Sequence, residues 1–83
     1  MEQEVGQMMN LQLPYVAAAI GAGIAVIGGG YGIGRLSASA LDGIARQPQA
    51  AGPIGTNMII GAALIEGATL IAEVVCILIV FLK

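Results

Sequence analysis

The stretch VAAAIGAGIAVIGGGYGIG, residues 16–34, has no charged side chain over nineteen positions. A helix of about 20 mostly apolar residues is long enough to cross a bilayer. A second apolar run covers residues 54–82 and contains few polar side chains besides two acids, Glu66 and Glu73. Because hydrocarbon offers no partners to backbone N–H and C=O groups, both runs are predicted to be helices. The pattern therefore predicts an all-α membrane protein.

The composition excludes several classes of protein. Of the 83 residues, 58% are hydrophobic and 10% are charged, and the mean hydropathy is +0.93, whereas soluble domains usually carry about 25% charged residues. The net charge of −2 and the lack of a basic cluster argue against nucleic-acid binding. With one cysteine and no histidine, neither a metal site nor a disulfide framework is expected. Cys76 is interpreted as a packing residue, and no catalytic residue or cofactor is predicted.

The order of segments along the chain predicts a single transmembrane hairpin, residues 1–83. The opening MEQEVGQMMN is acidic and polar, unlike a secretion signal. Helix 1 is expected over about residues 13–45, the loop over 46–53 and helix 2 over about 54–82, since Pro48 cannot continue a helix. Arg35 and Arg46 flank the loop, which predicts a cytoplasmic loop with both termini on the opposite side.

The glycines of the first helix predict close packing on two sides. Their spacing fits neither G-x-G-x-x-G nor a Walker A motif, which argues against nucleotide binding. Small residues allow membrane helices to approach closely. Gly28, Gly30, Gly32 and Gly34 recur every second residue, a step of about 200°, so they occupy two opposite flanks. This arrangement favours a closed ring of identical hairpins; the alternative is a generic dimerisation helix.

Glu66 lies near the middle of the second apolar run, with no basic residue within six positions. A charge at the bilayer centre costs about 2.5–3.5 kcal/mol on insertion scales. The carboxyl group is therefore expected to be paired, neutral or functional. A neutral acid that loses its proton on meeting water or a fixed cation is a proton carrier. The alternative is a neutral Glu66 that is hydrogen-bonded between helices.

Three features together resemble the c subunit (proteolipid) family of F-type ATP synthases. They are the glycine-rich first helix, ARQP at residues 45–48, and a single acid twenty residues after Arg46 within MIIGAALIEGATL, residues 58–70. The resemblance implies a ring with the glycine helix inside and the Glu66 helix outside. It also implies a non-catalytic rotor subunit in a bacterial inner membrane, surrounded by lipid.

The same resemblance implies the partners of the ring. The ring would turn against an a subunit, whose fixed arginine would meet each deprotonated Glu66. Arg46, Gln47 and Pro48 would contact the gamma and epsilon subunits of the central stalk. Two other functions stay open: a V-type proteolipid, which is usually longer, and a small self-assembling pore or structural hairpin, for which a specific RQP turn has no evident use.

The residues around Glu66 favour H⁺ over Na⁺ as the transported ion. Hard cations prefer several oxygen ligands. The resemblance implies that sodium-driven relatives place Gln and Ser or Thr at the positions of Ile33 and Gly67, neither of which has a side-chain oxygen. Thr69 is predicted to help hold the carboxyl group, and the Leu64 carbonyl to accept its proton.

Two charged residues depart from the family pattern. Glu73, seven residues after Glu66, is expected on the same outward face and about 10 Å nearer the termini. It is expected either to extend to the membrane surface or to act as a relay acid. Arg35 is assigned a structural role, extending toward the loop-side surface or approaching Asp42.

Overall fold

The computed structural model describes residues 1–82, which form two long antiparallel helices. Helix α1 spans Glu2–Arg46, a 3₁₀ turn spans Pro48–Ala50, and helix α2 spans Ala51–Leu82. The hairpin measures 70 × 18 × 8 Å. Both helices are long and apolar enough to cross a membrane, and the predicted two-helix hairpin is confirmed.

Helix α1 begins at Glu2 and not near residue 13. The predicted polar lead is rich in Glu, Gln, Met and Leu, which are good helix formers. Glu2 and Glu4 also lie in the first turn, where negative charge favours a helix. Pro14, expected at the helix start, lies inside α1 and removes one backbone hydrogen bond without ending the helix.

The connection between the helices is shorter than the predicted loop, residues 46–53. Gln47 is extended, with φ −134° and ψ 80°, as expected of a residue before proline. Its N–H group donates to the Gly43 carbonyl at 2.9 Å and caps α1. Helix α2 begins at Ala51, so Pro53 lies in its first turn. The N–H groups of a first turn have no partner within the helix, and the missing N–H group of Pro53 is therefore tolerated.

Small residues of α1 form the contact with α2. Its buried residues are Ala18, Gly29 and Ala40, spaced by eleven residues. Eleven residues advance a helix by about three turns, so the three lie in one line along α1. A methyl group added at Gly29 would collide with the Thr69 hydroxyl oxygen and lie 3.2 Å from Thr69 Cβ. The absence of a side chain at Gly29 therefore makes room for Thr69.

Further contacts set the register of the two helices. A methyl group at Gly21 would lie 3.4 Å from Cys76 Sγ, and one at Gly32 would lie 3.5 Å from Ile65 Cδ1. Gly61 and Gly43 meet Leu36 and Ile54 in the same way, nearer the loop. In this antiparallel register, Leu82 lies about level with Tyr15. The first residues of α1 therefore extend beyond the end of α2.

The glycines predicted to pack helices divide into two groups. Of these four glycines, Gly32 is the one that faces α2, while a Cβ on Gly28, Gly30 or Gly34 would meet no described atom of the hairpin within 4 Å. Gly28 and Gly30 precede and follow the buried Gly29 and so lie on opposite flanks of α1. These flanks are free in a single protomer, and their contact with neighbouring copies stays a prediction.

Candidate functional site

Glu66 lies at the centre of α2, which has 32 residues. At 1.5 Å per residue, each end of the helix is about 24 Å from Glu66, whereas half the hydrocarbon thickness is about 15 Å. The carboxyl group therefore lies near mid-membrane when the helix crosses the bilayer. Its side chain is exposed on the surface of the single protomer.

Nothing within the hairpin neutralises Glu66. Because Gly32 faces Ile65, the residue of α1 level with Glu66 is Tyr31. Tyr31 is two residues beyond Gly29, about 200° around the helix, and so faces away from α2. Among residues 1–82, Glu66 has neither a side-chain hydrogen bond nor an ion pair. The acid is available to groups outside its own protomer.

The hairpin does not gather the predicted lining residues around Glu66. The Thr69 hydroxyl donates to the Ile65 carbonyl at 2.9 Å and lies against Gly29. Leu64 is 71% exposed, about 140° around α2 from the side that meets α1. Ile33 is half-buried. A binding site made from these groups requires a neighbouring copy, and their roles stay predictions.

Glu73 has a different environment from Glu66. Its Oε1 is buried and has no hydrogen-bond partner among the described residues. Glu73 also lines a cleft between the helices with Tyr15 and three alanines of α1. In the single hairpin, a turn of about 40° from Thr69 brings the Glu73 side chain toward the groove against α1, and its extension to the membrane surface or its role as a relay acid stays a prediction.

Arg35 does not extend toward the loop and does not approach Asp42. Its Nη1 donates to the Tyr31 hydroxyl at 3.0 Å, and the guanidinium carbon lies 5.8 Å from the centre of the Tyr31 ring. The two residues are one turn apart on the face of α1 turned away from α2. Residues four positions apart are neighbours on the surface of a helix, so Arg35 can reach Tyr31. The aromatic ring of Tyr31 also attracts the positive charge of Arg35. Arg35 is therefore held at nearly the depth of Glu66.

The turn between the helices exposes a polar surface. Arg46, Gln47 and Pro48 are all exposed. A depression of about 410 Å³ lies beside them, lined by Gly43, Arg46, Gln47 and Ile54. The predicted stalk-contact residues thus form one continuous surface at the tip of the hairpin, about 24 Å from Glu66.

Known proteins resemble this chain over most of its length. The family model for the C subunit of ATP synthase matches residues 16–79. The chain belongs to this family. It is 63% identical over 67 residues to the ATP synthase c subunit of Bacteroides thetaiotaomicron, covering 81% of this chain and 79% of that protein. The identity is 61% over 67 residues to the c subunit of Phocaeicola vulgatus, covering 81% and 80%. The chain is also 40% identical over 67 residues to the ATP synthase c subunit of Enterococcus hirae, which covers 81% of this chain and 94% of that protein.

Membership of the c-subunit family establishes the function at the level of the assembly. The protein is an integral membrane component of the rotor ring of a rotary ATP synthase, and it is not itself catalytic. The predictions of fold, ring and rotor function are confirmed. The two alternatives, a V-type proteolipid and a passive pore, are not supported, since the relatives carry the name of the ATP synthase c subunit.

Three residues important to the structure were missed in the sequence. Gly29 is buried against Thr69, and its signal was the eleven-residue spacing from Ala18 and Ala40. Tyr31 holds Arg35, and the four-residue spacing of this pair was visible. Tyr15 shares a cleft with Glu73, which only the register of the two helices reveals.

Proposed function

We propose that Glu66 carries one proton per protomer as the ring turns. The observation that supports this proposal is a carboxyl group at mid-membrane depth, exposed on the protomer surface and without a partner among residues 1–82. An acid held inside the hairpin would be structural. An acid on the surface is accessible to a second protein.

The cost of burying charge determines when Glu66 is protonated. An ionised carboxylate at the bilayer centre costs about 2.5–3.5 kcal/mol on insertion scales. Glu66 is therefore neutral while it faces lipid. It loses its proton where a fixed cation compensates the charge, and we assign that cation to an arginine of the a subunit.

The ion is H⁺, and Na⁺ is disfavoured. A dry Na⁺ site requires several oxygen ligands. Ile33 has an aliphatic side chain, Gly67 has none, and the Thr69 hydroxyl is hydrogen-bonded to its own helix. A bound proton requires only the Glu66 carboxyl group and one oxygen that accepts a hydrogen bond from it. We assign that role to the Leu64 carbonyl.

The exposed tip formed by Arg46, Gln47 and Pro48 contacts the gamma and epsilon subunits of the stalk. Its polar surface and depression suit a protein partner, in contrast to the apolar surface along both helices. The loop faces the cytoplasm of a bacterium, with both termini on the other side of the inner membrane, in keeping with the two arginines near the loop.

The test is Glu66→Gln in the assembled enzyme. Glutamine has nearly the same volume as glutamate but cannot take up and release a proton. The ring is therefore expected to assemble normally while proton transport falls to background. Assembly is measured by the mass of the extracted ring, and transport by the quenching of a pH-sensitive dye in vesicles. Full transport by the variant would refute the proposal.

Glu66→Asp is the matched control. It keeps the titratable group on a shorter side chain and is expected to retain part of the transport. A carbodiimide reacts with protonated carboxyl groups, so labelling of wild-type Glu66 is expected to increase as the pH falls. Labelling that does not depend on pH would contradict the proton-carrying role.

A further inference from the structure

A cleft of about 240 Å³ lies between the helices on the side of Glu66 toward the chain termini. Tyr15, Ala18 and Ala22 line it from α1, and Glu73, Cys76 and Phe81 from α2. Small alanine side chains on α1 leave the space open. The described residues that line the cleft are apolar apart from the Glu73 carboxyl group, the Tyr15 hydroxyl and the Cys76 thiol.

Glu73 places a polar atom in this apolar cleft without a partner. Its Oε1 is buried and makes no hydrogen bond within the described chain. Within residues 1–82, the other titratable groups that line the cleft are Tyr15 on α1 and Cys76 on α2, and neither supplies a positive charge. A buried polar atom normally has a hydrogen-bond partner, and ordered water is the usual one where protein groups are absent.

The cleft extends from Glu73 toward the membrane surface. Glu73 is seven residues from Glu66, about 10 Å nearer the termini, which leaves about 5 Å of hydrocarbon beyond it. Tyr15 and Phe81 lie at the far end of the cleft, about 23 Å along the helices from the level of Glu66 and so beyond the edge of the hydrocarbon. The cleft therefore has Glu73 at its deep end and Tyr15 at its mouth.

We propose that Glu73 forms a second, hydrated proton-binding site in each protomer, at the deep end of the cleft whose mouth is at Tyr15, and that this site stores protons near Glu66 on the side of the termini. A water molecule occupies about 30 Å³ of liquid, so the cleft has room for several. Glu73 takes a proton from hydronium in the cleft to become a neutral acid, and returns it to water. This role rests on the proposed proton transport by Glu66.

Cys76 reports directly on whether the cleft contains water. It is the only cysteine of the chain and lines the cleft. A thiol reacts as the thiolate, which requires water. A small methanethiosulfonate reagent is expected to modify Cys76 in the purified ring. Glu73→Leu removes the polar group, and the reaction is expected to slow about tenfold. Glu66→Gln is the matched control and is expected to react like the wild type.

Carbodiimide labelling tests the proton at Glu73. In a Glu66→Gln ring, the label is expected at Glu73, identified by mass spectrometry of the peptides, and the double variant with Glu73→Gln is expected to show no label at position 73. An unlabelled Glu73 at every pH, or an unreactive Cys76 in the wild-type ring, would overturn the second site.

Transport then connects this site to the enzyme. Glu73→Gln is expected to transport normally at low pH on the side of the termini and to lose transport at high pH, where protons are scarce. Transport unchanged across that range would overturn the storage role. A failure of the Glu66 proposal would be recognised separately, because the Glu66→Gln variant would then transport protons. Ring mass verifies that each variant assembles.

Discussion

At the scale of single residues, the environment of each acid determines what it can do. Glu66 and Glu73 are both glutamates on α2, two turns apart. Glu66 is exposed to whatever surrounds the protomer, whereas one Glu73 oxygen is buried against α1. A difference of about 20° around the helix separates the two positions. This small rotation gives one acid access to partner proteins and places the other in a cleft.

Gly29 is predicted to be the least replaceable glycine within the hairpin. Gly29→Ala places a methyl group against the Thr69 side chain, at 3.2 Å from its Cβ. Overpacking of this kind typically costs about 1–3 kcal/mol. The variant ring is expected to dissociate at a lower temperature than the wild type, as measured by thermal denaturation in detergent.

Thr69→Ala in the same chain provides the control for Gly29. It removes the hydroxyl and methyl groups that obstruct the new side chain, so the double variant is expected to recover part of the lost stability. A Gly29→Ala ring as stable as the wild type would contradict the close contact between the helices at this point.

At the scale of elements, the turn converts two long helices into a hairpin with a polar tip. Gln47 is extended because Pro48 follows it, and Pro53 is accepted because it falls in the first turn of α2. The helices themselves run past the limits expected from hydropathy, since polar helix formers continue α1 outward to Glu2.

The exposed tip is predicted to hold the stalk. Replacing both Arg46 and Gln47 with Ala removes polar groups from the depression without altering the apolar spans. The ring is expected to assemble, while ATP hydrolysis becomes uncoupled from proton transport because the stalk is held less firmly. Both activities are measured in the same vesicles.

Gln3→Ala is the matched control for the tip, since Gln3 is exposed at the opposite end of α1. It is expected to leave coupling unchanged. Normal coupling in the Arg46 and Gln47 double variant would argue that the stalk contacts other residues.

At the scale of the whole molecule, one hairpin is an incomplete unit. Its longest dimension is 70 Å and its thinnest is 8 Å, and nearly all of its large apolar side chains are exposed. Lipid and neighbouring copies must cover this surface. The ring of the c-subunit family supplies those copies, and the completed surroundings of Glu66 belong to the ring.

The completed site is predicted to bind H⁺ and not Na⁺. Sodium chloride at neutral pH is expected to leave carbodiimide labelling of Glu66 unchanged relative to potassium chloride at equal ionic strength. The physical reason is the shortage of side-chain oxygens for a hard cation. The measurement is the labelled fraction of the ring by mass spectrometry. Protection by sodium alone would show that neighbouring protomers or bound water complete a sodium site.

The amino-acid sequence by itself determined the class of the protein. An uncharged run over residues 16–34 and a second run over 54–82 require two membrane helices, because hydrocarbon leaves backbone groups no other partners. The acid in the centre of the second run, Glu66, indicated an ion carrier because a charge in hydrocarbon is costly. These conclusions need only composition and position along the chain.

The tertiary structure decided which residues meet. The contact of Gly29 with Thr69, and the shared cleft of Tyr15 and Glu73, depend on the register of two antiparallel helices. No local pattern encodes that register, because the hydrophobic effect does not align two helices surrounded by lipid. The register is set by the small residues along one line of α1, which let α2 approach closely. It depends on how well the surfaces of both helices fit together, and a single helix does not carry that information.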